Sequence, residues 1–276
     1  MMNILKSAIT ASAQNIQINE NDYNKDGILF CGNCDTPKQA SVLFLGERPF
    51  CLCRCESERD AAERDSERKR KQLEKTHRLR TQGIQDRQMH NWTFANDNGS
   101  NPDMASKLLR YSAKWDKMYH RNIGLFLWGN VGTGKTFFAG CIANALIDSG
   151  VPVLMTSFGS IINALSGFSI EDKNSYLDNF NRYKLLILDD LGVERQSEFA
   201  QEIVYAVVDG RYKSGQPLIV TTNLTLDELK EPVDTTHSRI YDRLVEMCVP
   251  IQFNGASHRR KSFQDKLETA RTFFDD

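Results

Sequence analysis

Residues Gly129 to Thr136 read Gly-Asn-Val-Gly-Thr-Gly-Lys-Thr, directly after the apolar run Leu125-Phe126-Leu127-Trp128. Residues 137–147 follow with apolar side chains at helical spacing. A G-x-x-x-x-G-K-[ST] octet carries meaning only between a strand and a helix, and this one has both flanks. Its glycines let the backbone curl until several N–H groups face one anion, and the helix N-terminus adds positive partial charge. Within Gly129, Asn130, Val131, Gly132, Thr133, Gly134, Lys135 and Thr136, the lysine is placed to reach the β- and γ-phosphates and the last hydroxyl to help hold Mg²⁺. The chain is expected to bind a nucleoside triphosphate.

From about Asn91 short apolar segments alternate with amphipathic ones, the pattern of a parallel sheet covered on both faces. The spacing predicts strands at Leu125–Trp128, Val151–Thr156, Lys184–Asp189, Leu218–Thr222 and Val249–Phe253. Helices are expected between them, including Glu198–Lys213 and Leu226–Leu229, with a last charged helix from Ser257 to Phe274. Leu185-Leu186-Ile187-Leu188 ends in Asp189-Asp190, so a buried strand delivers two carboxylates at its C-terminal edge, where ligands bind in open α/β sheets. Asp189 is the expected Mg²⁺ ligand, largely through water. Asp190 is the expected general base for the attacking water, and Asn223, at the end of the next strand, is placed to orient it. Arg239 and Arg243 stand one helical turn apart, and Arg259 and Arg260 follow the last strand. An arginine beside developing phosphate charge is worth about 10³–10⁵ in rate; on spacing alone each of the four fits a surface ion pair equally well.

Residues 1–30 are polar and weakly patterned. Cys31, Cys34, Cys51, Cys53 and Cys55 then offer five thiols to a tetrahedral site that takes four. A small segment with little apolar content needs a staple to fold, and zinc suits it. Cys31, Cys34, Cys53 and Cys55 are the expected ligands, with Cys51 as the alternative. From Glu56 to Arg80 the composition turns almost wholly charged, with acids and bases interspersed at i, i+3 and i+4, which supports a solvated helix. Three regions are therefore expected: a Cys-rich zinc module over 1–55, a charged helical linker over 56–90, and the ATPase domain over 91–276. Arg68-Lys69-Arg70-Lys71 and the basic residues from Lys75 to Arg80 are either a solvated face or a contact for nucleic acid or an acidic partner.

With 35 Lys and Arg against 36 Asp and Glu the net charge is −1, so any nucleic-acid surface has to be local. No apolar run reaches the roughly 18–20 residues of a membrane span. Asn3, Lys6, Ser7 and Thr10 interrupt the stretch before Ala11-Ser12-Ala13 that would otherwise suggest a signal peptide. Seven cysteines, five of them clustered, argue against a disulfide framework. A cytoplasmic protein with no membrane partner is expected.

The segments Gly129–Thr136, Leu186–Gly192, Thr221–Leu224 and Ser238-Arg239-Ile240-Tyr241-Asp242-Arg243-Leu244 occur in an order that resembles the DnaC/DnaI/IstB class of AAA+ ATPases, the bacterial and phage helicase loaders and their transposition relatives. The likeness covers roughly residues 91–265. It extends to the Cys31-Gly-Asn-Cys segment and the later Cys-x-Cys-x-Cys, seen in phage-type loaders. The resemblance implies an α/β fold with a P-loop AAA+ core, a parallel five-stranded sheet flanked by helices, and ATP with Mg²⁺ as ligands. It implies Lys135 and Thr136 as Walker A, Asp189 and Asp190 as Walker B, Asn223 as sensor 1, and Arg243 as a finger acting on a neighbouring subunit. Arg259 fits sensor 2, with Arg260 competing, and Phe94 lies in a segment that flanks the adenine in this class. Asp190 stands where such enzymes more often carry glutamate. The implied partners are a replicative DnaB-type helicase, single-stranded DNA and further copies joined head to tail. The implied function is ATP-dependent loading of that helicase onto single-stranded DNA, with hydrolysis controlling release. A transposition helper and a non-catalytic zinc adaptor are the rival readings.

Overall fold

The computed structural model describes residues 18–167, 169–192, 197–225, 227–228, 235–255, 257, 263, 266–267, 269–271 and 273–274. Its contacts divide the chain into two compact units between Leu73 and Glu74.

In the first unit, strands β1 (Tyr23–Lys25) and β2 (Ile28–Phe30) pair antiparallel. Asp26 and Gly27 join them with φ of 52° and 72°. Two left-handed residues make the turn whose twist matches that of the strands, and Asp-Gly is a favoured pair for it. Helix α1 (Arg54–Gly83) opens one residue before Cys55, so the fourth thiol lies in its first turn. Lys38 is buried between Asp22 and Glu56, at 2.9 Å from each, and ties hairpin, loop and helix together. The Asn19 N–H and the Lys38 ammonium hold the Asp22 carboxyl below its ordinary range. Burial works against the Glu56 carboxylate, but Lys38 and the Cys53 N–H outweigh it and leave that group lowered too. From Ala61 to Lys75 every residue of α1 is exposed. Ion pairs one turn apart, Lys69–Asp65 at 2.7 Å and Lys71–Glu67 at 2.6 Å, support this all-polar stretch.

The second unit takes in the end of α1. Leu79 and Ile84 join its core, and Ile84 bridges to Met155 in parallel. A side chain on Gly83 would run into the Val153 carbonyl, which is why the helix can end so close to the sheet. The sheet contains β3 (Gly124–Gly129), β4 (Val153–Ser157), β5 (Leu185–Leu191), β6 (Leu218–Thr222) and β7 (Cys248–Phe253). Its order is β4-β5-β6-β3-β7, with every neighbouring pair parallel. This is the expected five-stranded P-loop core. Side chains alternate along each strand. Leu125, Leu127, Met155, Ile187 and Ile219 face one core, with α2 (Pro102–Ala113), α3 (Trp115–His120) and α4 (Lys135–Asp148) over it. Phe126, Leu154, Leu186, Leu188 and Val220 face the other, under α5 (Phe158–Leu165), α7 (Glu198–Ser214) and α8 (Thr235–Met247). A further short helix, α6 (Ile170–Asp178), precedes β5.

The strand expected from Val151 starts two residues later, since Pro152 has no N–H for the ladder and offers only its carbonyl, to Lys184. Leu226 and Leu229, the ends of one expected short helix, lie outside the described residues. So does much of 257–274, whose described members from Phe263 onward are helical. No helix among the described residues is long and apolar enough to cross a membrane.

Candidate functional site

Strand β3 lies inside the sheet between β6 and β7 and feeds the phosphate loop from its C-terminal end. Gly132 and Gly134 take φ of 82° and 97°, conformations that side chains rarely adopt, and they turn the chain sharply into α4. The Thr133 hydroxyl closes the loop by donating to the Asn130 carbonyl at 2.8 Å. Lys135 is 5% exposed, and its ammonium donates to the carbonyls of Gly129 and Asn130 at 2.7 and 2.8 Å. It also donates to the Asn223 amide oxygen at 2.9 Å, which joins the end of β6 to the loop.

The end of β5 is stitched to β6 by hydroxyls. Thr221 donates to the Asp189 carboxylate at 2.6 Å and accepts the Asp190 N–H at 3.0 Å. Pairing between the two strands shifts between Leu188 and Leu191, and Asp190 sits at the shift with φ of 59°. Aspartate is one of the few side chains that tolerates this region, and the kink turns Asp190 outward beside the half-buried Asp189. Burial pushes the Asp189 carboxyl up and Asp190 adds repulsion, while hydroxyls of Thr221 and Thr136 and the Lys135 charge pull it back without cancelling the rise. Gly132, Gly134, Lys135, Thr136, Asp189, Asp190 and Asn223 thus surround one cavity of about 400 Å³. Oxygen groups from Thr136 and Asp189 in hydrogen-bond contact are a donor set that suits Mg²⁺.

A family model described as IstB-like ATP binding protein matches residues 57–266. The chain belongs to that family. It is 29% identical over 154 residues to the replicative helicase loader DnaI of Bacillus subtilis, covering 49% of this chain and 47% of the relative. Against the replicative helicase loader DnaC of Escherichia coli K12 it is 29% identical over 164 residues, 56% of this chain and 63% of the relative. The chain thus spans between about half and less than two thirds of the length of these curated relatives. A crystal structure of the DnaC helicase loader superposes with a TM-score of 0.51 at 21% identity, covering 61% of this chain and all of that one, a likeness of fold.

Not every expected residue of this IstB-like protein lies at the cavity. Arg243 on α8 pairs with Asp209 at 2.7 Å and donates to the Tyr205 hydroxyl at 3.0 Å. Its guanidinium lies over the rings of Tyr205 and Tyr212. Arg259 and Arg260 lie outside the described residues. Phe94 packs its ring on Phe138, 6.4 Å between centroids, while Trp92 and Met89 line the cavity instead.

What fastens that wall was not foreseen. The Asn144 side chain, wholly buried in α4, donates to the carbonyls of Met89 at 2.8 Å and Trp92 at 3.0 Å and accepts from Arg80 at 3.0 Å. Gly140 leaves room for Trp92, whose Cε3 would lie 2.6 Å from any β-carbon there. A lone amide within the apolar stretch 137–147 was the available signal.

All five clustered cysteines precede the residues matched by the IstB-like family. The Sγ atoms of Cys31, Cys34, Cys53 and Cys55 lie within 4.8 Å of one another, with 3.6 Å for Cys31–Cys55 and 3.3 Å for Cys53–Cys55. Four thiolates around tetrahedral zinc at ~2.3 Å stand about 3.8 Å apart, so the set fits that ion. The Thr36 hydroxyl, 3.0 Å away, is the chief cause holding the Cys34 thiol down to about 6, whereas burial pushes Cys53 up. Cys51 points elsewhere, toward the Pro37 carbonyl.

Proposed function

We propose that this chain is an ATP-driven loader that places a DnaB-type replicative helicase on single-stranded DNA. The convergence of Lys135, Thr136, Asp189 and Asn223 on one cavity supports the reading, in a chain whose curated relatives bear the name of replicative helicase loaders. The loop N–H groups and Lys135 bind the β- and γ-phosphates of ATP. Thr136 and Asp189 are the residues that would hold Mg²⁺, and the ion would offset the negative charge of the phosphates. Asn223 orients a water against the γ-phosphorus and Asp190 accepts its proton.

Arg243 is the residue proposed to act on the ATP of a neighbouring copy, joined head to tail, which requires it to leave Asp209. Arg259 is proposed to contact the nucleotide in its own subunit. Cys31, Cys34, Cys53 and Cys55 are proposed to hold zinc as the staple of the N-terminal module over 1–55, which engages the helicase; a linker over 56–90 leads to the ATPase domain over 91–276. The setting is the cytoplasm. The test is ATP turnover by the purified chain alone, with single-stranded DNA, and with a replicative helicase. Turnover indifferent to both additions would sink the proposal.

A further inference from the structure

The face made by α2 and α3 contributes nothing to the nucleotide site, yet its charge is out of proportion to the chain. Lys107, Arg110, Lys114, Lys117 and Arg121 recur every three or four residues, and all five are exposed. At ~100° per residue they fall within an arc of about 80°, along a row of about 21 Å with cations roughly 4.5–6 Å apart. The break between the two helices does not scatter the row. The Lys114 N–H still reaches the Arg110 carbonyl at 3.0 Å, and the Met118 N–H reaches Lys114 at 3.2 Å. Met104, Leu108, Tyr111 and Trp115 are buried on the adjacent arc and hold the helices to the core, so the row's orientation is set by packing.

Over residues 102–121 five cations face two carboxylates, a net of +3 in a chain of net −1. Asp103 stands on the same face one turn before Lys107, at the start of α2, and Asp116 lies off it. Among the described residues none of the five cations makes an ion pair, and Arg110 donates only to Ser106. The basic run on α1 differs, because Lys69 and Lys71 there are paired with acids of their own helix. Lys69 and Lys71 are thus engaged within their own helix, although α1 as a whole has ten bases to seven acids. Charge on α2 and α3 lacks that internal partner.

We propose that this row binds the sugar–phosphate backbone of single-stranded DNA, independently of sequence, an inference that rests on the loader reading. Of its exposed neighbours, Ser106, Leu109 and Ala113 offer no ring for stacking and no amide for a base edge, and His120 at the end of α3 adds a single ring, so phosphate contacts carry most of the binding. The choice of a single strand over a duplex follows from the loader reading.

The experiment is equilibrium binding of a fluorescent thirty-residue oligothymidylate to the full chain with ATP, over a series of salt concentrations. For single strands log K falls with log salt by about 0.7 per phosphate neutralised. Lys107→Gln, Lys114→Gln and Lys117→Gln together should reduce that slope by about 2 and weaken binding on the order of 100-fold at ~0.1 M salt. The matching triple Lys→Arg variant should keep both, and ATP affinity should be unchanged in each, which shows the fold intact. A slope unaltered by the Gln triple, with wild type binding normally, overturns the row and leaves the loader reading standing. Wild type that binds no single strand removes both. An equal loss of slope on a hairpin duplex reassigns the row to duplex DNA and overturns the proposal as stated.

Discussion

Replacing Asn144 with alanine cuts the tie between the segment entering the second unit and the helix that follows the phosphate loop. The amide donates to the carbonyls of Met89, Trp92 and Gly140. The Gly140 carbonyl keeps its ordinary partner inside α4, and Arg80 keeps its contact with Asp148. The Met89 carbonyl keeps the Trp92 N–H at 3.1 Å, so only the carbonyl of half-buried Trp92 is left without a donor. A buried orphan of this kind costs about 1–3 kcal/mol, and partial water access places this one near ~1.5 kcal/mol. Alanine returns roughly 0.5 kcal/mol through its helix propensity. The net, about 1 kcal/mol, lowers the midpoint of thermal unfolding of a unit this size by about 2–4 °C. Because Met89 and Trp92 are a wall of the cavity, ATP affinity should fall as well, by up to about fivefold if the whole of that ~1 kcal/mol reaches the site. Thermal melts with and without ATP, together with a fluorescent-nucleotide titration, measure both. A melt unchanged within about 1 °C would refute the assigned hydrogen bonds. A lower melt with full ATP affinity would refute the wall.

Cys53→Ser should abolish stoichiometric zinc while Cys51→Ser retains it, by metal analysis of protein purified without chelator; the reverse pattern rejects the ligand set. Asp190→Ala should keep ATP binding and lose about 10²–10⁴ in turnover, the usual worth of a general base. Equal turnover in the two proteins would favour the non-catalytic adaptor. Lys38→Met strands two buried carboxylates and should destabilise the first unit by about 3 kcal/mol at neutral pH, read by hydrogen exchange over residues 18–56. Asp22 and Glu56 have lowered values when folded, so in the wild type their contribution is complete above the ordinary carboxylate range of about 4 and fades as pH falls through the folded values. The gap between variant and wild type should therefore narrow on acidification, and a gap that widens contradicts the sign.

The convergence of Lys135, Asp189 and Asn223 on one cavity was legible because its signals are local. The apolar run before Gly129, the paired acids after Leu188 and the amide after Thr222 each end a buried strand, and parallel strands bring their C-terminal ends to one edge of the sheet. Contacts between distant residues were not legible. Nothing in the residues near Asn144 says that its amide will find Met89 and Trp92, or that Ile84 will bridge to Met155. The hairpin at Tyr23–Phe30 had its signal in Asp26-Gly27, but three-residue strands are too short for alternation to register. Arg243 shows the same limit from the other side. The family resemblance marked it as a finger, while the Asp209 and Tyr205 that hold it come from α7.

The measurement to make is the amount of replicative helicase bound to a closed single-stranded DNA circle in the presence of ATP, with wild-type chain, with Lys135→Ala, and with neither. An ATP switch predicts helicase on the circle with wild type and background levels with the variant. Equal loading by both would contradict it.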